Sequence, residues 1–325
     1  MLNQFLLQYS LFMFIWYINW GAAINFLSLV LNELFFYPTP NNFNYFYCIG
    51  FLLAALLAIQ ITTGVLLSCY YIPKLGIAFT SIDYIIRDIA IGWAITFLHS
   101  NIASFFLSFI YFHFIRSYCY CSFQTPKHKV WFSGVLLLLL VIITAFLGYV
   151  LPWGQMSFWG ATVIINFLTV IPYFGSSIAR FIWGGFHVGK ATLGRFFTLH
   201  FLIPFFISLV VILHIIVLHQ VGSSNPLNPG NIKETIKFPY YKLKDILVSV
   251  IISTSFLELI SYNFNLGHTA NYILAIPLVT PEHIVPEWYF LGFYAILRAI
   301  PNKLFGIISM FSLIINFILS FLTQE

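Results

Sequence analysis

Residues 195–220 read RFFTLHFLIPFFISLVVILHIIVLHQ. The stretch is apolar enough to cross the hydrocarbon core of a bilayer, which takes ~20 residues of helix. Yet it carries three imidazoles, at His200, His214 and His219. Burying a polar ring in lipid is destabilising unless the ring has a partner, so intramembrane histidines mark sites. His200 and His214 are fourteen residues apart. At ~100° per residue they point within ~40° of one another, ~21 Å apart along the helix. His219 comes five residues later, rotated ~140° from His214, and cannot share that face.

The spacing recurs upstream, where FLHSNIASFFLSFIYFHF, 97–114, sets His99 and His113 fourteen residues apart. An even number of crossings separates the two spans, so they run in the same direction. His99 is therefore level with His200, and His113 with His214. Two facing imidazoles at each of two depths are what six-coordinate haem iron needs, one nitrogen above and one below the ring. A single buried histidine is more often a hydrogen-bonded core residue; two pairs at equal spacing on co-directional helices favour ligands. Gly50 and Gly64 in the first span, and Gly134 and Gly148 in the third, repeat the interval. Glycine inside a helix costs ~1 kcal/mol relative to alanine. Close helix packing is its common explanation, but equal periods in four helices suggest flat macrocycles pressed against bare backbone. The expected core is a four-helix bundle around two non-covalently bound b-type haems, with Arg116 and Arg195 as propionate partners.

Composition agrees with this setting. Of 325 residues, 61% are hydrophobic and 7% charged, which excludes an ordinary soluble domain. The net charge of +5 is scattered between apolar segments and forms no basic face, so nucleic acid is not an expected partner. The abundance of Phe, 38 residues, fits an AT-rich organelle genome. The start, MLNQFLLQYS, has neither the basic region and cleavage site of a secretory signal nor the character of a transit peptide, and reads as mature sequence. Cys48, Cys69, Cys119 and Cys121 lack metal-site spacing and the C-x-x-C-H of covalent haem attachment.

The fold class expected is all-α: a polytopic membrane bundle of six spans, near 46–70, 90–115, 130–150, 197–218, 246–263 and 303–322. Residues 1–45 read as an N-terminal interfacial segment and 46–220 as the four-helix core. Within the core, the connection at 155–185, broken by Pro172 and Gly175, reads as short surface helices. Residues 221–325 form a C-terminal part with an inner loop and two spans. Basic residues are densest in the loops after the second span (Arg116, Lys127, Lys129) and after the fourth (Lys233, Lys237, Lys242, Lys244), which places those loops inside.

The four-histidine spacing, the glycine ladder, GYVLPWGQMSFWGATV at 148–163 and PEWY at 286–289 together resemble the cytochrome b of quinol–cytochrome c reductase, over about residues 45 to 322. The resemblance implies a subunit that oxidises quinol at the outer face and reduces quinone at the inner face of the mitochondrial inner membrane, with ubiquinone as substrate. It implies His99 and His200 as ligands of a low-potential haem, and His113 and His214 of a high-potential one. PEHIVPEWYFLGFYAILR, 281–298, lies on the side of His99 and His200. There Glu287 is suited to take a proton from a quinol hydroxyl. The resemblance makes Glu287 and Tyr289 catalytic and Phe146, Tyr149, Gly160, Pro286 and Tyr294 pocket-lining, with His283 nearest an iron–sulfur partner.

At the inner side, His219 read alone is an interfacial hydrogen-bonder. A histidine and a carboxylate flanking a quinone can supply the two protons its reduction requires, and PYYKLKDIL, 239–247, brings Lys244 and Asp245 to the same side. The resemblance assigns His219 and Asp245 to quinone reduction, with Ser223 and Lys244 nearby. It further implies a Rieske-type iron–sulfur protein, a cytochrome c-one-type subunit and a homodimer. Three departures stand out. Thr96 occupies a position where the family usually has Arg; two further spans usually follow the sixth, which a separate polypeptide is expected to supply; and some 20 N-terminal residues are additional. Two rivals remain open on the residues: a di-haem anchor of another quinone-linked dehydrogenase, and a non-redox transporter with structural histidines.

Overall fold

The structure, a computed structural model, describes residues 39–40, 42–225, 235–236, 240–261 and 265–322. Ten helices follow in order among them: α1 (Ile49–Ser68), α2 (Ala78–Asp88), α3 (Gly92–Cys119), α4 (His128–Val150), α5 (Gln155–Leu168), α6 (Gly175–Trp183), α7 (Lys190–Val221), α8 (Tyr240–Ser261), α9 (Leu291–Ala299) and α10 (Lys303–Leu319). A two-residue ladder pairs β1 (Thr39–Pro40) antiparallel with β2 (Thr235–Ile236). The first 38 residues of the expected interfacial segment, and Lys233 and Lys237, lie outside the described residues.

Among the described residues, α1, α3, α4 and α7 are long and apolar enough to cross a membrane. The chain is a multi-pass membrane protein. The fifth and sixth expected spans are helical too, but α8 carries Lys242, Lys244, Asp245 and Glu258, and α10 has 17 residues, the lower limit for a span. The connection at 155–185 forms two short helices, α5 and α6, of 14 and 9 residues. The sequence reading missed α2 and α9, of 11 and 9 residues.

Helices α1 and α3 pack as one antiparallel pair and α4 and α7 as another; α3 meets α4 and α1 meets α7, closing a four-helix ring. Helix α8 lies against α1 and α3, and α10 against α9 and α4. The Trp131 Nε1–H donates to the Phe317 carbonyl at 2.7 Å, tying α10 to the ring. Pro204 lies one turn past His200 in α7. Its missing N–H leaves the His200 carbonyl without its usual helical donor.

The fourteen-residue ladders also determine what separates the two histidine levels. Leu57, Phe106, Val141 and Ile207 each stand seven residues from both members of a ladder, at its midpoint. All four are buried and belong to one apolar cluster with Leu52, Leu56 and Ile102. Seven residues are nearly two full turns, so each returns to the inward face halfway between the levels. A second cluster, built from Tyr71, Val150, Trp153, Phe158, Ile165, Leu193 and Phe196, packs α5 and α6 onto the end carrying His99 and His200.

Candidate functional site

Each ladder glycine lies against a ladder histidine of its antiparallel partner. A Cβ added at Gly64 would come within 3.1 Å of the His99 ring, and at Gly50 within 3.5 Å of His113. At Gly134 the approach to His214 is 3.3 Å, and at Gly148 the approach to His200 is 2.4 Å. The equal periods follow from this pairing: two antiparallel helices that meet at one rung meet again at the next only if both repeat at the same interval.

Three of the four rings are held at Nδ1 by the neighbouring glycine helix. His99 Nδ1 is 2.8 Å from Thr63 Oγ1, and His214 Nδ1 is 2.7 Å from Ser133 Oγ. Both hydroxyls already donate within their own helices, Thr63 to the Ile59 carbonyl and Ser133 to the Val130 carbonyl. Each can therefore only accept from the ring, which assigns the proton to Nδ1 and leaves the Nε2 lone pair available. His200 Nδ1 is 2.9 Å from the Thr144 carbonyl, an acceptor, with the same result. This is the orientation a metal-binding imidazole takes from its outer partners. His113 differs: its Nδ1 stands 3.3 Å from Arg116, which can only donate. Drawing Arg116 onto a carboxylate would restore the tautomer the other three share.

These residues fit b-type haem. Imidazole nitrogens bind first-row metals at about 2 Å, so rings on opposite sides of one ion have centroids roughly 6 Å apart. His99 and His200 have centroids 6.2 Å apart, at 87° between planes. His113 and His214 line a cavity of about 490 Å³ together with Gly50, Gly134 and Arg116. The Arg116 Nε is buried without a hydrogen-bond partner among the described residues, and the guanidinium lies 4.8 Å from the Tyr47 ring centre. A buried guanidinium with an unpartnered Nε among the described residues suits a propionate. Arg195 is exposed; it donates to the Phe181 carbonyl and lies 5.8 Å from that ring's centre. Thr96 donates to the Gly92 carbonyl of its own helix at 2.9 Å.

The cavity continues past the level of His113 and His214. His219, Ser223, Ser224, Cys48 and Asp245 line it as well. Lys244 is outside this wall: it donates to the Phe43 carbonyl at 3.1 Å and sits 4.3 Å from the Tyr45 ring centre. One residue along a helix is a rotation of ~100°, enough to separate it from Asp245. Lys127 reaches Ser224 Oγ at 2.6 Å, closing the loop end of the cavity.

At the opposite end, Glu287 is half-buried at the start of a short 3₁₀ turn, Trp288–Phe290. Burial pushes its carboxyl above the ordinary value of 4.5, against the opposing pull of Tyr149 and His268. The Tyr149 hydroxyl is buried and faces the Glu287 carboxylate and the Asn271 side chain, short of full hydrogen-bond geometry with either. Tyr289 is buried, and its carbonyl accepts from Tyr111 Oη at 2.6 Å. Phe146 meets Phe290 edge-on at 6.4 Å, Pro286 is half-buried, and the missing Cβ of Gly160 faces open space. Tyr294 stacks under Arg298 at 5.5 Å, and His283 is exposed. Sequence reasoning missed Asn271 and His268. Their segment docks on the first turn of α5, where Asn271 Oδ1 accepts from the Ser157 amide at 2.8 Å and Gln155 Nε2 donates to the Val279 carbonyl at 3.1 Å.

Two family descriptions match the chain: cytochrome b/b6/petB over residues 34–222, and cytochrome b (C-terminal)/b6/petD over residues 274–325. The chain belongs to the cytochrome b family. Cytochrome b of Chondrus crispus is 50% identical over 290 residues, spanning 89% of this chain and 76% of that protein. Cytochrome b of Acanthamoeba castellanii is 48% identical over 303 residues, 92% of this chain and 79% of that one. A solved chain from a hyperthermophilic respiratory Complex III superposes with a TM-score of 0.84 at 30% identity, covering 95% of this chain and 83% of its own. Membership implies b-type haem and a redox role in a multi-subunit membrane assembly.

Proposed function

We propose that this cytochrome b is the di-haem subunit of a proton-translocating quinol–cytochrome c reductase of the mitochondrial inner membrane, operating a Q cycle. The observation that carries the reading is the division of proton-handling groups between the two ends of one bundle. Glu287 stands with Tyr149 at the His99–His200 end; His219 and Asp245 line the cavity at the His113–His214 end. Bound haem supplies one-electron transfer at each level, with His99 and His200 as ligands at one and His113 and His214 at the other.

At the outer end, Glu287 accepts a proton from the quinol hydroxyl, and its raised pKa brings it nearer the ideal for a base that must also release that proton. Tyr149 and Tyr289 stand beside it, and Phe146 packs on the neighbouring Phe290 ring. One electron leaves toward an iron–sulfur protein, for which exposed His283 is the nearest contact, and onward to a cytochrome c-one-type subunit. At the inner end, His219 and Asp245 give protons to the quinone oxygens, with Ser223 beside them. The buried apolar layer at Leu57, Phe106, Val141 and Ile207 keeps water and protons from crossing directly. The assembly is a homodimer with further subunits.

Reduced-minus-oxidised spectra of the purified complex test this reading. Two b-type haem signals are expected, with turnover blocked by ligands of either pocket. Sensitivity at one pocket alone would replace the reading with a di-haem dehydrogenase anchor.

A further inference from the structure

Three of the four cysteines, Cys69, Cys119 and Cys121, are exposed, whereas Cys48 is 2% exposed. The thiol of Cys69 donates back to the Val65 carbonyl of its own helix. Cys48 occupies the N-cap position of α1, where a side chain ordinarily satisfies a free amide of the first turn. It makes no such bond. The Asp245 carboxylate, in α8, stands beside its thiol instead, and both residues line the cavity shared with His219 and Ser223. Asp245 is the one carboxylate among the residues of that lining. An ionised carboxylate can only accept, so in a hydrogen bond between the two the S–H is the donor.

We propose that Cys48 is a positioning residue for quinone reduction: its thiol holds one oxygen of the Asp245 carboxyl, so that the other is the one presented to the quinone. The inference rests on the reading of this cavity as the quinone-reduction pocket. A carboxyl on α8 can rotate about two side-chain bonds, and a fixed donor on a different helix removes that freedom before the quinone arrives. In the reaction, the protonated Asp245 carboxyl gives its proton to one quinone oxygen and His219 gives one to the other. Two electrons, one from each of two quinols oxidised at the opposite face, complete the new quinol. Asp245 and His219 then recover protons from water at the inner surface. The thiol keeps its own proton throughout and is neither oxidised nor alkylated.

The test uses the assembled complex with the outer pocket blocked, so that quinol can reduce the cytochrome only through the inner pocket. Cys48→Ser keeps a donor, and its rate is expected within about twofold of the parent; Cys48→Val fills similar space without a donor and is expected to slow the reaction about tenfold. Infrared spectra supply a readout that packing alone would not move. The S–H stretching band lost in Cys48→Ser is expected at lower frequency than the bands of the exposed thiols, and to move toward them in Asp245→Asn. Parent kinetics in Cys48→Val would overturn the role of Cys48 alone. A band insensitive to Asp245→Asn would do the same, and decides the matter where Cys48→Val does not assemble. Absence of any inner-pocket reaction in the parent complex would overturn the pocket assignment and this role with it.

Discussion

A methyl added to Gly148 would come within 2.4 Å of His200, and one added to Gly64 within 3.1 Å of His99; at the other level the approaches are 3.3 Å at Gly134 and 3.5 Å at Gly50. The outer level is closed tightly by backbone against imidazole. The inner level opens into a cavity of about 490 Å³ that runs on to His219 and Asp245. One ladder spacing thus serves two different tasks. In the proposed reading the outer site holds its ligands against rigid helix, and its quinol pocket is the PEWY loop region, where Glu287 faces Tyr149. At the inner end His113 and His214, the proposed ligands, share one space with His219 and Asp245, the proposed proton donors.

The largest effect follows from that asymmetry. Gly148→Ala places a methyl where His200 must be, and the ring cannot swing aside without giving up its bond to the Thr144 carbonyl. We expect it to lose the outer haem, seen as a drop from two haems to one per chain. Gly50→Ala, with its approach at ordinary van der Waals distance, is expected to keep both. Equal retention in the two variants would remove the distinction between the levels.

Next in size is Glu287→Gln, expected to slow quinol oxidation roughly a hundredfold, the lower end of what a positioned base contributes. Inner-pocket reduction should be unaffected. The pH dependence has a definite sign. Burial raises the Glu287 pKa above 4.5, and a base must be ionised to act. The outer-face rate therefore climbs as pH rises through that raised value, and the limb is absent in Glu287→Gln. For stability the sign is opposite: the fold favours the protonated form, so the contribution is fully present below the unfolded pKa and is lost as pH rises through the folded one.

The inner level is tested by Arg116→Gln. Its guanidinium is buried beside His113 with an unpartnered Nε among the described residues. Losing a charge-assisted partner for a propionate is expected to weaken retention of the inner haem about tenfold, measured by haem loss to an acceptor protein. The outer haem should be retained as before.

What could be read from the sequence here is what one helix determines by itself. The fourteen-residue period of His99 and His113, or of Gly134 and Gly148, is a property of a single helix, and it fixed four helices and two levels before any packing was known. Contacts made between elements did not show. Thr63 and Ser133 read as ordinary helical hydroxyls, because their role depends on how α1 and α4 are rotated against α3 and α7. Asn271 lies in a segment with no period at all, and its place beside Tyr149 depends on a loop docking more than a hundred residues back along the chain. Lys244 and Asp245 were adjacent in sequence and were read together; one step of helix rotation sent them to different neighbours.

The smallest effect sharpens the comparison most finely, because it separates the levels without disturbing either. Thr63 accepts from His99 at the outer level and Ser133 from His214 at the inner. A ring whose Nδ1–H is accepted donates more electron density through Nε2 and so favours the oxidised, more positive iron. Removing the acceptor should raise the potential of that haem. Loss of one neutral hydrogen bond is worth ~0.5–1 kcal/mol, which for one electron corresponds to ~20–45 mV. Thr63→Val keeps the side-chain shape and should raise the outer haem alone; Ser133→Ala should raise the inner alone. Potentiometric titration followed at the two haem bands reads both. A shift in Thr63→Val that fell on the inner haem, or equally on both, would show that Thr63 does not act through His99 and would undo the pairing of rungs from which the two levels are drawn.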